Sequence, residues 1–329
     1  MLSIIGLIIV LGLVIFVHEL GHFAACRWAK VKVKAFSIGF GLGRPILQWK
    51  DKNKTEWRLG WIPLGGYVDP DEKGLKAAPR YKQAVIMAAG IVLNFVLAWL
   101  LFVFLFAARP EPIVRPTIGV VVENSLAQRA GVEPGWTIKK INGERIPEWS
   151  DLLRVKTLAG GDEVAIEFDN GKTINLIADK SWGLTPAAPK NPQYKKRTAK
   201  SVLSRATTEV WTQSKLLFVV LKQIVSGERD SKQLGSFLTI AKMSGDALAA
   251  GFFALLAMIA VLSINLGVIN LLPIPALDGG HLLFILCEAI TRRKLGDKTK
   301  NYIILCGWAA LIAFMAFAIN NDLNRVFGI

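Results

Sequence analysis

The chain has 329 residues, 52% of them hydrophobic and 20% charged, with a formal net charge of +15. It is too apolar for an ordinary soluble domain and too charged to lie wholly in a bilayer, so a few membrane spans joined to a soluble part are expected. The basic excess flanks apolar runs or sits in a lysine-rich connector, which argues against nucleic acid as a partner, and three cysteines placed in or beside apolar segments exclude a disulfide framework and a CxxC metal ribbon.

Leu2 to Val17 carry no charge, and with the stretch to Trp28 the run is long enough to cross a bilayer as a helix, about 20 residues being needed. Inside it stands His18-Glu19-Leu20-Gly21-His22. On a helix the two histidines project from one face, one turn apart, with Glu19 beside them. Two neutral imidazoles at that spacing can hold a zinc ion, and a carboxylate next to the first can take a proton from water at the ion. Ionisable groups at membrane depth are costly, so this cluster marks a site. Phe23-Ala24-Ala25-Cys26 looks superficially like a lipoprotein cleavage site. No basic residue precedes the apolar run, however, and processing would discard HELGH, so the first span is expected to be retained.

Further apolar runs cover about 84–108, 248–272 and 302–319, which makes four expected spans with both termini on one side. The segment after the first span and the loop before the last, with Arg292, Arg293, Lys294, Lys298 and Lys300, are rich in basic residues; both are expected to be cytoplasmic, with the termini and the long middle region outside. At 1.5 Å per residue His18 then lies about 25 Å along its helix, towards the cytoplasmic face. Phe36 to Val68 reads as strands: Ile46–Trp49 and Glu56–Leu59 flank the polar turn Lys50–Thr55 as a β-hairpin, Trp49, Trp57 and Trp61 suit a membrane interface, and Pro63-Leu64-Gly65-Gly66-Tyr67 ends the stretch. An exposed strand edge there could pair with an extended substrate. In the second span Gly90 permits close helix packing and Asn94 is expected to bond across a helix interface.

Pro116 to Lys180 reads as a soluble α+β unit. Strands are expected at 118–122, 138–141, 164–168 and 173–177, a short helix at 125–130 and a longer one at 149–158, with Asn142-Gly143 and Asn170-Gly171 as hairpin turns. PTIGVVVENSLAQRAGVEPGWTIKKINGERIPEWSDL resembles a bacterial PDZ domain, departing from it at Leu126 and Trp136, which leaves two roles open, a peptide bound in its groove or a steric filter or scaffold. Residues 180–200 read as a linker, and 201–226 as an amphipathic helix lying on the outer membrane surface or packed on the soluble unit.

The third run ends in NLGVINLLPIPALDGGH, where two prolines and Gly279-Gly280 break the helix. Non-helical backbone at that depth must be covered by protein or line a water cavity. A zinc site with two histidines needs a third protein ligand, and Asp278 is the matching acid; His281 is expected to support the site or start a helix.

HELGH, PLGGYV, the PDZ-like stretch and NLLPIPALDGGH together resemble the site-2 protease family of intramembrane metalloproteases, of the bacterial RseP type that regulates an envelope-stress sigma factor. The resemblance covers nearly the whole chain. It implies Zn2+ held by His18, His22 and Asp278, Glu19 as general base, and substrate contacts from Asn270, Pro273, Gly65 and Gly66. The fold class is then a polytopic α-helical membrane protein with four transmembrane helices, a membrane-associated β-hairpin and an inserted PDZ domain. Its parts are 1–109 (two spans, HExxH, hairpin 36–68), 115–180 (PDZ), 181–245 (linker and amphipathic helix) and 246–329 (two spans, LDGG). The implied activity is zinc endopeptidase cleavage within or next to transmembrane segments of single-span proteins, anti-sigma-factor-like substrates or signal-peptide remnants, in the bacterial inner membrane. Departures from the family pattern are a single PDZ-like unit, Ile91 after Ala89-Gly90, and Leu234-Gly235-Ser236-Phe237. A zinc transporter would need polar ligands through the outer halves of the spans, which supply few, and a silent PDZ scaffold would have no use for a complete HExxH with its aspartate.

Overall fold

The first apolar run forms helix α1, Leu2–Ala29, and Lys30, in the left-handed region at φ 63°, turns the chain out of it while the Val31 amide caps the Cys26 carbonyl at 2.9 Å. The computed structural model describes residues 2–41, 44–178, 181–189, 192–226 and 237–327, and the chain divides into two units, Met1–Leu105 with Leu234–Ile329, and Phe106–Gln233.

In the first unit α1 is followed by β1 (Val33–Phe40), β2 (Leu47–Lys50), β3 (Glu56–Leu59), β4 (Ile62–Pro70), the short α2 (Glu72–Ala77) and the long α3 (Arg80–Ala108). The expected hairpin is real but is half of a larger sheet of order β2-β3-β1-β4. β2 and β3 pair antiparallel with Trp49 opposite Trp57, as the polar turn suggests, while β1 pairs parallel to β3 and antiparallel to β4. Those two pairings join segments distant in sequence, which local alternation cannot disclose. The turn is tied to the end of α1: Asp51 accepts from the amides of Asn53 and Thr55 and from the Arg27 guanidinium at 2.9 Å. The sheet is therefore carried on the helix that holds HELGH.

The second unit contains β5 (Ile118–Val121), α4 (Leu126–Arg129, capped by Ser125), β6 (Ile138–Ile141), β7 (Glu144–Arg145), α5 (Trp149–Ala159), β8 (Glu163–Phe168), β9 (Thr173–Ile177), β10 (Leu184–Pro186) and α6 (Ala199–Val225). One sheet runs β7-β6-β8-β9, and β10 pairs antiparallel with β5. Asn142 and Gly143 both have positive φ, as a tight hairpin turn requires. The expected linker from 180 begins too early. Trp182 is 3% exposed, sits in the core with Ile118, Ile138 and Ile166, and donates its indole N–H to the Ile177 carbonyl at 2.8 Å. A proline- and lysine-rich composition marks the surface of this stretch but hides its one buried ring. α6 packs on α5, with Gln223 donating to the Leu158 carbonyl at 2.9 Å, the second of the two placements open for this helix.

The chain returns to the first unit with α7 (Phe237–Ala250), α8 (Phe252–Leu271), α9 (Asp278–Thr291) and α10 (Asp297–Phe327). Residues 234–236, where the LSGP-like sequence was expected, lie outside the described residues. The third apolar run does not begin at 248. Gly251, at φ 103° and ψ −178°, separates α7 from α8 in a conformation open only to glycine. α7 crosses α1 closely, for a Cβ on Gly6 would lie 2.5 Å from the Ser244 carbonyl oxygen. Among the described residues four helices are long and apolar enough to cross a membrane, Leu2–Ala29, Arg80–Ala108, Phe252–Leu271 and Asp297–Phe317. Their outer faces leave Ile4, Ile8, Val92, Leu100, Leu305 and Ile312 from 39% to 64% exposed, the arrangement of helices solvated by lipid.

Candidate metal centre

α1 supplies two histidines on one face because they are four residues apart, and the imidazoles meet edge to face, with Nε2 of His22 3.1 Å from Nε2 of His18. Asp278, the first residue of α9, brings Oδ2 to 3.1 Å from His18 Nε2 and 3.2 Å from His22 Nε2. Two segments 256 residues apart in the chain thus converge on one point, all within the first unit. Among the described residues these three form the group of His, Cys, Asp and Glu donors whose ligand atoms come together tightly enough to hold a metal ion.

Two glycine pairs make this convergence possible. A Cβ on Gly90 of α3 would lie 2.4 Å from His22 Nε2 and 2.8 Å from His18 Cε1, so the imidazoles occupy the volume a side chain would take. A Cβ on Gly21 would fall 2.4 Å from the Ala89 carbonyl oxygen, so α1 and α3 touch backbone to backbone here. Gly279 and Gly280 do not break a helix, as the sequence suggested; they lie in the first turn of α9. The break is the segment 272–277 with its prolines. A Cβ at either glycine would press into that segment, 2.3 Å from the carbonyl oxygens of Leu272 and Ile274 respectively. The pair lets α9 start against the loop that turns it back, and so carries Asp278 to the histidines.

α3 also fixes the rings from behind. The Ile86 carbonyl oxygen lies 2.7 Å from His22 Nδ1, and the Asn94 amide 3.2 Å from His18 Nδ1. A carbonyl only accepts, so His22 carries its proton on Nδ1 and turns the Nε2 lone pair towards Asp278. These partners are absent from the sequence reading. Asn94 was legible only as a polar residue bonding across helices, and Ile86 acts through its backbone, which no residue type signals.

The other expected site residues are placed as follows. Glu19 points to β4, where its carboxylate accepts from the Val68 amide, and a Cβ on Gly66 would lie 3.2 Å from its Cγ. Gly65, at φ 116°, packs against the Phe40 ring. Asn270 is buried in the last turn of α8 and Pro273 is exposed in the loop that follows. His281 sits in the first turn of α9, with its amide bonded to the Leu277 carbonyl at 3.3 Å, outside the trio of converging donors.

The sequence profile of peptidase family M50 matches residues 6–314. A Rickettsia conorii protein provisionally named a zinc metalloprotease is 33% identical over 361 aligned positions, spanning 99% of this chain and 100% of the relative. A Campylobacter jejuni protein with the same provisional name is 33% identical over 98% of this chain and 93% of the relative. The Caulobacter vibrioides protein named metalloprotease MmpA is 31% identical over 99% and 96% respectively. The matched region contains both HELGH and LDGG, and the chain belongs to peptidase family M50, the site-2 protease family its motifs resemble.

Proposed function

We propose that this chain is a zinc metalloprotease that hydrolyses peptide bonds within or next to transmembrane segments of membrane proteins. The observation that carries the reading is the convergence of His18, His22 and Asp278 beside Glu19 in a chain of this family. The donor set fits zinc. A tetrahedral ion with bonds of about 2.0–2.1 Å keeps its ligands about 3.3 Å apart. The three separations here are 3.1, 3.1 and 3.2 Å, and the buried Asp278 Oδ2 faces both Nε2 atoms.

His18, His22 and Asp278 would hold the ion, which when bound polarises a carbonyl and acidifies water in the open position. Glu19, next in sequence to His18 and held by the Val68 amide, would accept a proton from the attacking water and pass it to the leaving amine. Gly66 keeps the strand close to Glu19 without a side chain between them. An extended substrate segment could lie along the same sheet, since a peptide bond locked in a helix offers its carbonyl to an intrahelical partner. Asn270 at the end of α8, Pro273 in the loop that follows, and Gly65 are assigned to substrate positioning in this reading.

The finer assignments belong to the same proposal. Residues 115–180 of the second unit are read as a PDZ domain, supported by their strand and helix order. In this reading the site lies towards the cytoplasmic side of a bacterial inner membrane and the second unit outside, which the placement of the basic loops supports. Anti-sigma-factor-like proteins and signal-peptide remnants are the proposed substrates.

The test is cleavage of a single-span membrane protein by purified enzyme in detergent, with the cut located by mass spectrometry. A chelator-sensitive cut in or beside the span is expected, and Glu19→Gln should lower turnover at least about a hundredfold while zinc stays bound. Undiminished cleavage by that variant would remove Glu19 from the role of base; a chain that neither binds zinc nor cuts would be a scaffold instead.

A further inference from the structure

We infer that Asn94 is the positioning residue for His18: its side-chain oxygen accepts the His18 Nδ1 proton and so commits Nε2 to the metal. The inference rests on the reading of His18 as a zinc ligand.

Asn94 is 0% exposed in the middle of α3, a helix with no other amide side chain after Gln83. A polar group so buried is costly unless satisfied. Its Nδ2 lies 3.2 Å from His18 Nδ1, and its Oδ1 has no partner among the described residues. In that orientation the amide donates, Nδ1 must accept, and the proton falls on Nε2, the atom aimed at Asp278 and His22. An imidazole protonated on Nε2 cannot ligate through it. Turning the amide over about its own axis exchanges oxygen and nitrogen, puts Oδ1 on Nδ1 and frees the Nε2 lone pair; one amide atom lacks a partner among the described residues in either orientation, so the choice rests on Nε2 being the atom that faces the other two donors. The neighbouring ring supports that choice, because Ile86 can only accept from His22 Nδ1. Both ligating rings are then oriented from one helix, one by a main-chain carbonyl and one by an amide, in the manner by which outer hydrogen bonds fix metal-bound histidines.

Asn94 is also held in place itself. Ser263 of α8 donates to its main-chain carbonyl at 2.9 Å. That bond ties α3 to α8 without touching His18, and so separates helix packing from ligand orientation.

The test measures zinc affinity by chelator competition in the full-length protein, with thermal unfolding followed in parallel. Asn94→Asp keeps an acceptor on Nδ1 and should stay within about threefold of the parent, while Asn94→Leu and Asn94→Ala should bind zinc about 10–100-fold more weakly. Ser263→Ala should leave zinc affinity unchanged. The chain has three histidines, so 15N-histidine spectra can be assigned by substitution, and metal-free protein should show the neutral His18 ring protonated on Nδ1. The amide could serve either tautomer, so His18 found protonated on Nε2 overturns the inference even if the Leu and Ala variants do not fold. Wild-type affinity in a folded Asn94→Leu protein overturns it, as does an equal loss in Ser263→Ala. If His18→Ala loses zinc and Asn94→Leu keeps it, this inference alone fails; if the parent binds no zinc, the underlying reading fails with it.

Discussion

At the scale of single residues, the site depends as much on side chains that are missing as on those present. Gly90 leaves the space into which both imidazoles turn, and a methyl group there would sit 2.4 Å from His22 Nε2. Gly90→Ala is therefore expected to displace the rings and abolish zinc retention, at a cost of about 1–3 kcal/mol in stability for the overpacked contact. Zinc content per purified chain checks this, and a variant that keeps a full complement would show that the rings can move aside. Asp278→Asn removes the anionic donor but keeps the shape, so it should weaken zinc binding strongly while leaving the melting temperature of the metal-free protein within a few degrees. The motif histidines, Glu19 and Asp278 could all be picked out from spacing and from their misplaced polarity. The glycine could not be assigned its task, because the volume it leaves matters only against helix α1.

The elements are positioned by a few junctions. Gly251 separates α7 from α8 in a glycine-only conformation, and nothing lies within 4 Å of a Cβ built there. Gly251→Ala should therefore destabilise through backbone strain alone, by about 1–3 kcal/mol, whereas Gly12→Ala, equally unobstructed but inside α1, should be tolerated. Equal melting temperatures for the two variants would contradict this. At the other end of the molecule's C-terminal part, Glu288 of α9 accepts from Lys300 of α10 at 2.6 Å and from the Leu295 amide at 3.0 Å. Burial raises the Glu288 carboxyl, but the Lys300 ammonium, the Leu295 amide and the charge of Arg80 prevail and hold it below its ordinary value. A carboxyl depressed by folding contributes stability above its unfolded pKa of about 4.3 and loses it as pH falls through the folded value. Melting temperatures from pH 7 to pH 3 should accordingly fall more steeply in the parent than in Glu288→Gln. Parallel curves would mean that the pair contributes nothing.

For the whole molecule the proposal fixes a topology that can be read directly. In a cysteine-free background, single cysteines in place of Glu123 in the second unit and Lys294 in the loop before α10 are both exposed. A membrane-impermeant thiol reagent added to intact cells should label the first and not the second, which should react only after permeabilisation. Labelling of both from the same side would overturn the orientation drawn from the basic loops, though not the chemistry of the site.

The long apolar helices, the hairpin turns and the candidate metal ligands on α1 were legible in the sequence because each rests on a local rule: apolar length against bilayer thickness, Asn-Gly turns with positive φ, two histidines one helical turn apart. Asp278 was legible only by what the histidines lacked. What the tertiary structure decided is everything that depends on two distant segments meeting: the parallel pairing of β1 with β3, the burial of Trp182 in a stretch that reads as linker, the use of Gly279 and Gly280 for close approach instead of helix breaking, and the grip of Ile86 and Asn94 on the two imidazoles. Periodicity and composition report the environment along one segment, whereas a backbone carbonyl against a ring nitrogen or a vacant Cβ position acquires meaning only from its neighbour across the helix interface.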